Sequence, residues 1–309
     1  MTETPEPDLA AVFEVIRGSD GGSRDLSAMR ADYADYIDYF RDPAPDFDGV
    51  ITDEVLPATC EVAVRQYLPS VESDPGLVLV YFHGGGWVTG SPEGTDRFTR
   101  AVASQLRLHV VSVDYRLAPE HPFPAALDDC LSVVEYLQNL SHRIVVAGDS
   151  AGGNLAAAVS QVRVDAGCPV DAQALIYPAL AAPDQDRPGP GPLDGYGLDL
   201  SEMHYFWNSY AGTHSVDRRL APLLSEDLRS APPTLVTTAG FDPLCSEGEK
   251  YAQRLIESGV RTHYLPFPRL THGWIDFADR IPSAYEARDA VIAEIGTLVA
   301  AVSMPVGST

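Results

Sequence analysis

Residues 143–159 read RIVVAGDSAGGNLAAAV, and this stretch decides the fold. An apolar run, Ile144–Ala147, stops at Gly148-Asp149-Ser150-Ala151-Gly152-Gly153, after which small apolar residues recur at helical spacing. A strand that turns sharply into a helix needs small residues on both sides of the turn, because larger side chains would collide across it. The pattern GxSxG is weak in isolation; a strand before it and a helix after it make it strong. Ser150 is therefore the candidate nucleophile. It projects from a sheet, above a helix N-terminus that favours negative charge.

Working outward, the preceding strand pattern LVLVYFH runs into His83-Gly84-Gly85-Gly86-Trp87. Attack on an ester carbonyl creates an oxyanion, which needs backbone N–H donors converging on one point. Glycines let a loop aim its N–H groups into a cavity, so Gly84, Gly85 and Gly86 are the candidate donors, with Ala151 supplying another. A phosphate cradle would need a Gly-Lys-Ser/Thr ending, which this loop lacks. Downstream, a serine needs a base to take its proton, and the chain order of this architecture is serine, acid, histidine. His272, in PFPRLTHGWIDF, follows the final strand pattern and precedes Gly273. Asp242, in TAGFDPLCSEG, stands at the end of the strand TLVTTAG, with Glu247 as a nearby rival for the acid that orients the histidine.

From residue 50 the pattern alternates strand, loop and helix. The expected strands are EVAVRQYL, LVLVYFH, HVVSVDY, RIVVAG, AQALIYP, TLVTTAG and THYLPFP. Expected helices include AALDDCLSVVEYLQNL, GGNLAAAVSQVRVDAG, SEGEKYAQRLIESG and AYEARDAVIAEIGTLVAAV. Short apolar strands alternating with amphipathic helices imply a mostly parallel central sheet flanked by helices on both faces. Before residue 50, DLAAVFEVIR and LSAMRADYADYIDYF read as two helices outside the sheet. A proline- and glycine-rich loop at 181–197 leads into LSEMHYFWNSY, whose Met203, Tyr205, Phe206, Trp207 and Tyr210 suit either core packing or an apolar cap. No repeat and no second core is visible, so residues 1–309 read as a single domain.

The composition narrows the function. With 309 residues and a formal charge of −23, the chain offers no basic surface for nucleic acid or anionic membranes. Lys250 is its only lysine. Salt adaptation and biased genomic composition both produce such a surface, and the sequence does not separate them. Neither a membrane span nor a secretory leader is expected, and the expected location is cytoplasmic. Cys60, Cys130, Cys168 and Cys245 are widely spaced and read as buried free thiols, not as metal ligands or a disulfide framework.

Taken together, HGGGW at 83–87, VDYRLAPEHPFPA at 113–125, GDSAGG at 148–153, DPL at 242–244 and HG at 272–273 resemble the motifs, in order, of the hormone-sensitive-lipase-like or bacterial type IV esterases. GDSAGG points to the branch named for it. The resemblance implies an α/β-hydrolase fold with a helical cap built from 1–45 and 185–215. It implies Ser150 as nucleophile, His272 as general base and acid, and Asp242 as orienting carboxylate. Gly85, Gly86 and Ala151 would line the oxyanion hole, with Gly84 beside them shaping the loop. Expected substrate contacts are Trp87, Tyr196, Tyr205, Phe206 and Trp207. Asp114, Tyr115, Arg116 and Glu120 read as scaffolding, with a buried arginine paired to carboxylates.

The implied activity is hydrolysis of short- to medium-chain esters, aryl esters included, with no metal and no organic cofactor. Amide hydrolysis, including arylformamides, and acyl transfer use the same site and stay open. A non-catalytic small-ligand receptor is the alternative from another class. The receptors of that kind related to this family lack the histidine. The expected partner is a small-molecule ester, and a homodimer through THYLPFP is a further expectation.

Overall fold

The run Leu77–Phe82 is apolar at every position and buried at every position, as befits a strand covered on both faces. A computed structural model describes residues 4–18, 25–182 and 196–303. In chain order its elements are α1 (Ala10–Gly18), α2 (Leu26–Phe40), β1 (Gly49–Pro57), β2 (Glu61–Pro69), β3 (Leu77–Phe82), α3 (Asp96–Leu106), β4 (His109–Asp114), α4 (Ala125–Asn139), β5 (Arg143–Asp149), α5 (Ala151–Asp165), β6 (Ala172–Ile176), α6 (Leu200–Ala211), β7 (Thr234–Phe241), α7 (Cys245–Glu257), β8 (Thr262–Thr271) and α8 (Pro282–Ser303). The eight strands form one sheet in the order β1-β2-β4-β3-β5-β6-β7-β8. β2 pairs antiparallel with β1 and β4, and every other pairing is parallel.

Alternate residues of β3 serve different cores, as the two-residue period of a strand requires. Val78, Val80 and Phe82 join the cluster under α4, α5 and α7. Leu77, Leu79 and Tyr81 join the cluster under α3 and α8. β3 has β4 on one side and β5 on the other, so the chain changes direction across the sheet there. At such a switch point the loops leaving neighbouring carboxyl ends diverge and open a crevice. The register Phe82↔Gly148 sets the glycine loop after β3 beside the turn after β5.

The seven expected strands and the expected helices are present, and two elements have no counterpart among them. β1 buries only Leu56 and carries Asp53 and Glu54 at the sheet edge, so it shows no alternation to read. α3 buries Phe98, Val102 and Ala103 on one side, between arginines on the other. The thiols also differ from expectation: all are free, but only Cys130 is buried, and Cys168 is exposed. No helix among the described residues is long and apolar enough to cross a membrane.

The other sheet edge, β8, carries Pro266 and Pro268. Proline has no N–H to give a neighbouring strand and is tolerated where that position faces solvent. Two lost donors on one edge work against backbone pairing through THYLPFP, the route expected for a dimer.

Over the switch point lie α2 and α6. From α2, Arg30 donates to the carbonyls of Val88 (2.9 Å) and Ala118 (3.2 Å) and pairs with both Glu120 oxygens at 2.8 Å. Glu120 thus helps to anchor α2. α6 starts with a capping box between Asp199 and Glu202, which satisfies free N–H groups at the helix start. Of the residues expected to build a cap, 4–18, 25–45 and 196–215 are described, and 1–3, 19–24 and 185–195 lie outside the described residues. Arg116 binds the Asp129 carboxylate through Nε and Nη2. The buried member of that pair is the aspartate, since 46% of the arginine side chain is exposed.

Candidate active site

The turn after β5 is built by close backbone approach. Ser150 has φ +52° and ψ −116°, a conformation that costs a non-glycine residue about 1–3 kcal/mol. Its N–H donates to the Ile176 carbonyl (2.9 Å), and its own carbonyl accepts from Asn154 (3.1 Å) and Ala179 (3.2 Å). A Cβ at Gly152 would stand 1.9 Å from the Phe82 carbonyl oxygen, and one at Gly148 would stand 2.3 Å from that of Gly152. Those contacts explain why the motif requires glycine at both places.

Three side chains from three different strand ends meet at this turn. His272 Nε2 lies 2.9 Å from Ser150 Oγ, and its Nδ1 lies 2.7 Å from Asp242 Oδ2. The network fits an Nδ1–H that donates to the carboxylate while Nε2 accepts the serine proton. Asp242 is buried, and its Oδ1 accepts the N–H of Leu244 (2.7 Å), which fixes the carboxylate. Burial pulls the His272 pKa down, the Asp242 carboxylate and, behind it, Asp149 and Asp276 push it up, and the net shift is upward. Glu247, the rival acid, is turned away. Its Oε1 accepts the N–H groups of Leu180 (2.6 Å) and Ala181 (3.3 Å) and braces the loop after β6.

The glycine loop divides its donors. Gly84 N–H donates to Asp149 Oδ1 (2.9 Å), and the same oxygen accepts the Tyr81 hydroxyl (2.7 Å). Gly84 is thus corrected from a candidate oxyanion donor to a fastening point between the loop and the turn. Among the described residues no backbone hydrogen bond claims the N–H of Gly85, Gly86 or Ala151. Burial pushes the Asp149 carboxyl up to about 6, against the pull of Tyr81. His83 stacks on Tyr115 at 4.1 Å and is held near 4 by burial, so it stays neutral and serves packing.

The aromatic residues sort into two groups. Trp87 stacks on Tyr210 (4.5 Å) and meets Trp207 edge-on (5.8 Å); both tryptophans are buried, at 4% and 7% exposure. They join α6 to the glycine loop as packing, a correction to their expected substrate contact. Phe206 lies directly over Gly86, where a Cβ would come within 2.3 Å of its ring. Tyr205, Phe206 and Tyr196 stay partly exposed. Tyr196 packs against Phe13 and Phe241, and its carbonyl accepts the Thr271 hydroxyl next to His272. Sequence reading had no reason to choose Asp149, Tyr81, Tyr177 or Asp276. Tyr177 has φ +34° and sets its ring edge on His272 at 4.8 Å. Asp276 follows His272 by four residues, a proximity that was visible in the chain.

Comparison with known proteins gives concordant matches. The sequence profile of the α/β hydrolase fold matches residues 79–276. The chain is 36% identical over 251 residues to the carboxylic ester hydrolase LipN of Mycobacterium tuberculosis, covering 76% of this chain and 66% of LipN. It is 37% identical over 244 residues to the carboxylesterase NlhH of the same organism, covering 74% and 75%. Among solved structures, an ester hydrolase from the metagenome of Lake Arreo, complexed with a bipyridine phosphonate derivative, superposes with a TM-score of 0.88 at 32% identity. That match covers 96% of this chain and 100% of the other.

Proposed function

Because the chain belongs to the α/β-hydrolase family of carboxylic ester hydrolases, we propose that it cleaves short- to medium-chain esters, aryl esters included, through an acyl-enzyme on Ser150. The observation that carries this reading is the unbroken line from Ser150 Oγ through His272 to the buried Asp242 carboxylate. Ser150 attacks the carbonyl carbon as His272 Nε2 takes its proton. The resulting imidazolium is stabilised by Asp242, and the oxyanion lies against the N–H groups of Gly85, Gly86 and Ala151. His272 returns the proton to the leaving alcohol. Water, activated by the same nitrogen, then releases the acid and restores the serine.

The cap sets the size of substrate in this reading. Tyr205 and Phe206 from α6 and Tyr196 beside the His272 loop are the aromatic surfaces offered to it. Such surfaces suit an aryl ring or a short alkyl chain.

The test is a chain-length series of p-nitrophenyl esters given to the wild type and to Ser150→Ala. The wild type is expected to turn over the shorter esters and lose rate as the acyl chain lengthens. The variant is expected to fold and to lose at least about a thousandfold in kcat. Full activity in Ser150→Ala would sink the assignment.

A further inference from the structure

In a chain with a formal charge of −23, arginines gather where α2 ends and α3 begins. Arg41 caps the end of α2, Arg97 lies in the first turn of α3, and each reaches into the other's segment. Arg41 Nη2 donates to the carbonyls of Glu93 and Gly94, and Arg97 Nη2 donates to that of Asp42. Arg280 joins them through the Arg41 carbonyl (2.9 Å) and Asp42 Oδ1 (3.3 Å). Between these segments and the 3-10 turn Trp274–Phe277 lies a cavity of about 10 Å³, lined by Arg41, Thr95, Arg97, Ile275, Asp276 and Asp279 among others. A space of that size admits one particle about as large as a water.

Three donors of this lining are buried with their hydrogens unused. Arg41 Nε, Arg97 Nη1 and Thr95 Oγ1 have no hydrogen-bond partner. Thr95 is only 8% exposed and stands at the N-cap of α3, where a threonine ordinarily bonds the free N–H groups of its own helix; here its hydroxyl makes no cap bond. Buried donors left unmet are costly, so a lining of this kind calls for an acceptor. The charges point the same way. Arg97 Nε meets Asp279 Oδ2 (3.2 Å), but Asp279 also serves Arg288 (3.4 Å). Arg97 Nη1 is 3.9 Å from Asp96 Oδ2, beyond hydrogen-bond reach. The carboxylate partner of Arg41, Asp38 (3.1 Å), is 71% exposed and screened by solvent. Among the described residues Asp276 makes no ion pair with either arginine. Burial, reinforced by Asp149, pushes its carboxyl up to about 8, so it is neutral near pH 7. Two guanidinium charges thus face one shared carboxylate, at a helix N-terminus that itself favours an anion.

We propose that the cavity between Arg41, Thr95 and Arg97 is a binding site for a single monatomic anion, chloride. Chloride accepts from several donors at once and asks for no acceptor in return, whereas water brings two hydrogens of its own. Phosphate and sulfate are too large for the space. Bound there, chloride ties the end of α2 and the start of α3 to the turn that follows His272, and it stabilises the folded chain by mass action.

The experiment is thermal unfolding of the wild type, Arg97→Gln and Thr95→Val near pH 7, in sodium chloride and in sodium gluconate. Each salt is raised from about 10 mM to about 500 mM, a range over which both screen surface charge alike. The general effects of each salt are common to the three proteins, so the rise in Tm in chloride minus the rise in gluconate is compared between them. That difference is expected to be about 2 °C larger in the wild type than in either variant. Thr95→Val keeps the size and shape of the side chain and carries the test should Arg97→Gln not fold. Wild-type crystals grown in bromide are expected to show an anomalous peak in contact with Arg41 Nε and Arg97 Nη1. A difference equal in the wild type and the folded variants would overturn the proposal, the cavity then holding water only. Bromide bound elsewhere and not between the two arginines would overturn it as well.

Discussion

The turn that carries Ser150 and the cap proposed to cover it are held by different kinds of contact. At the turn, backbone touches backbone: Gly152 against the Phe82 carbonyl, Gly148 against Gly152, and Ser150 between Ile176 and Ala179. These backbone contacts leave the turn little room to adjust. The cap is held by side chains, through Arg30 on two carbonyls and Glu120, the Trp87–Trp207–Tyr210 cluster, and Phe206 over Gly86. Side-chain contacts can be exchanged one at a time, each at modest cost. On the proposed reading, the comparison teaches that the chemistry sits where the chain has least freedom, and the choice of substrate where it has more.

Gly152→Ala should break this contrast most severely. The added methyl meets backbone that has no room to retreat, and a loss of about 3 kcal/mol is expected. Turnover of every ester should fall by a common factor, because the nucleophile itself is displaced. Denaturant unfolding and a panel of esters check both statements; a variant within twofold of wild type would show the turn to be softer than described.

The pH profile comes next. His272 must be neutral to accept the serine proton, and its pKa lies above the ordinary 6.5, with Asp242 the strongest of the carboxylates that raise it. Activity should therefore fall as pH drops through a value above 6.5. In Asp242→Ala burial acts unopposed by that carboxylate, so the acid limb of the residual activity should move to lower pH. A limb that stays in place would mean that another group sets it.

Asp149, beside Ser150, fastens the glycine loop to the turn. Its folded pKa, about 6, lies above the ordinary 3.8, so the folded state holds that proton more tightly than the unfolded chain. The resulting stabilisation is complete below about pH 4 and is lost as pH rises through 6. Asp149→Asn does not titrate, so its stability relative to wild type should rise by on the order of 2–3 kcal/mol between pH 4 and 7 and then level off. Unfolding midpoints across that range would reveal a flat difference if the shift were absent.

The smallest effect is expected in the cap. Arg30→Met keeps most of the stem and removes the guanidinium, which is partly exposed, and should cost about 1 kcal/mol or less. Its kinetic mark should be a raised KM with kcat nearly intact. An equal loss of kcat would place α2 in the chemistry and blur the contrast.

Legibility in the sequence follows the same division. The turn and the three residues that meet there could be read because backbone constraint leaves a residue pattern: glycine on both sides of Ser150, and Asp242 and His272 at strand ends. The inner strands could be read because burial on both faces favours an apolar run, as throughout β3 and at Ile144–Ala147 of β5. β1 could not, since its exposed positions accept almost any side chain. Nor could the destinations of Trp87 and Trp207, because an aromatic residue at helical spacing looks the same whether it faces a ligand or another ring. Gly84 carries the same signal as Gly85 and Gly86, and only the position of Asp149 tells them apart.

The alternation in β3 has a consequence for how this chain can change over generations. Its residues divide strictly between two cores, and its last pair, Phe82↔Gly148, sets the glycine loop against the turn. Exchanging one apolar residue for another there alters volume on one side only. Inserting or deleting a single residue exchanges the two sides from that point on and moves the loop by one step along its neighbour. Lineages of this protein are thus free to drift in letters along β3 but not in length, and variation in length is left to the connections beyond the sheet.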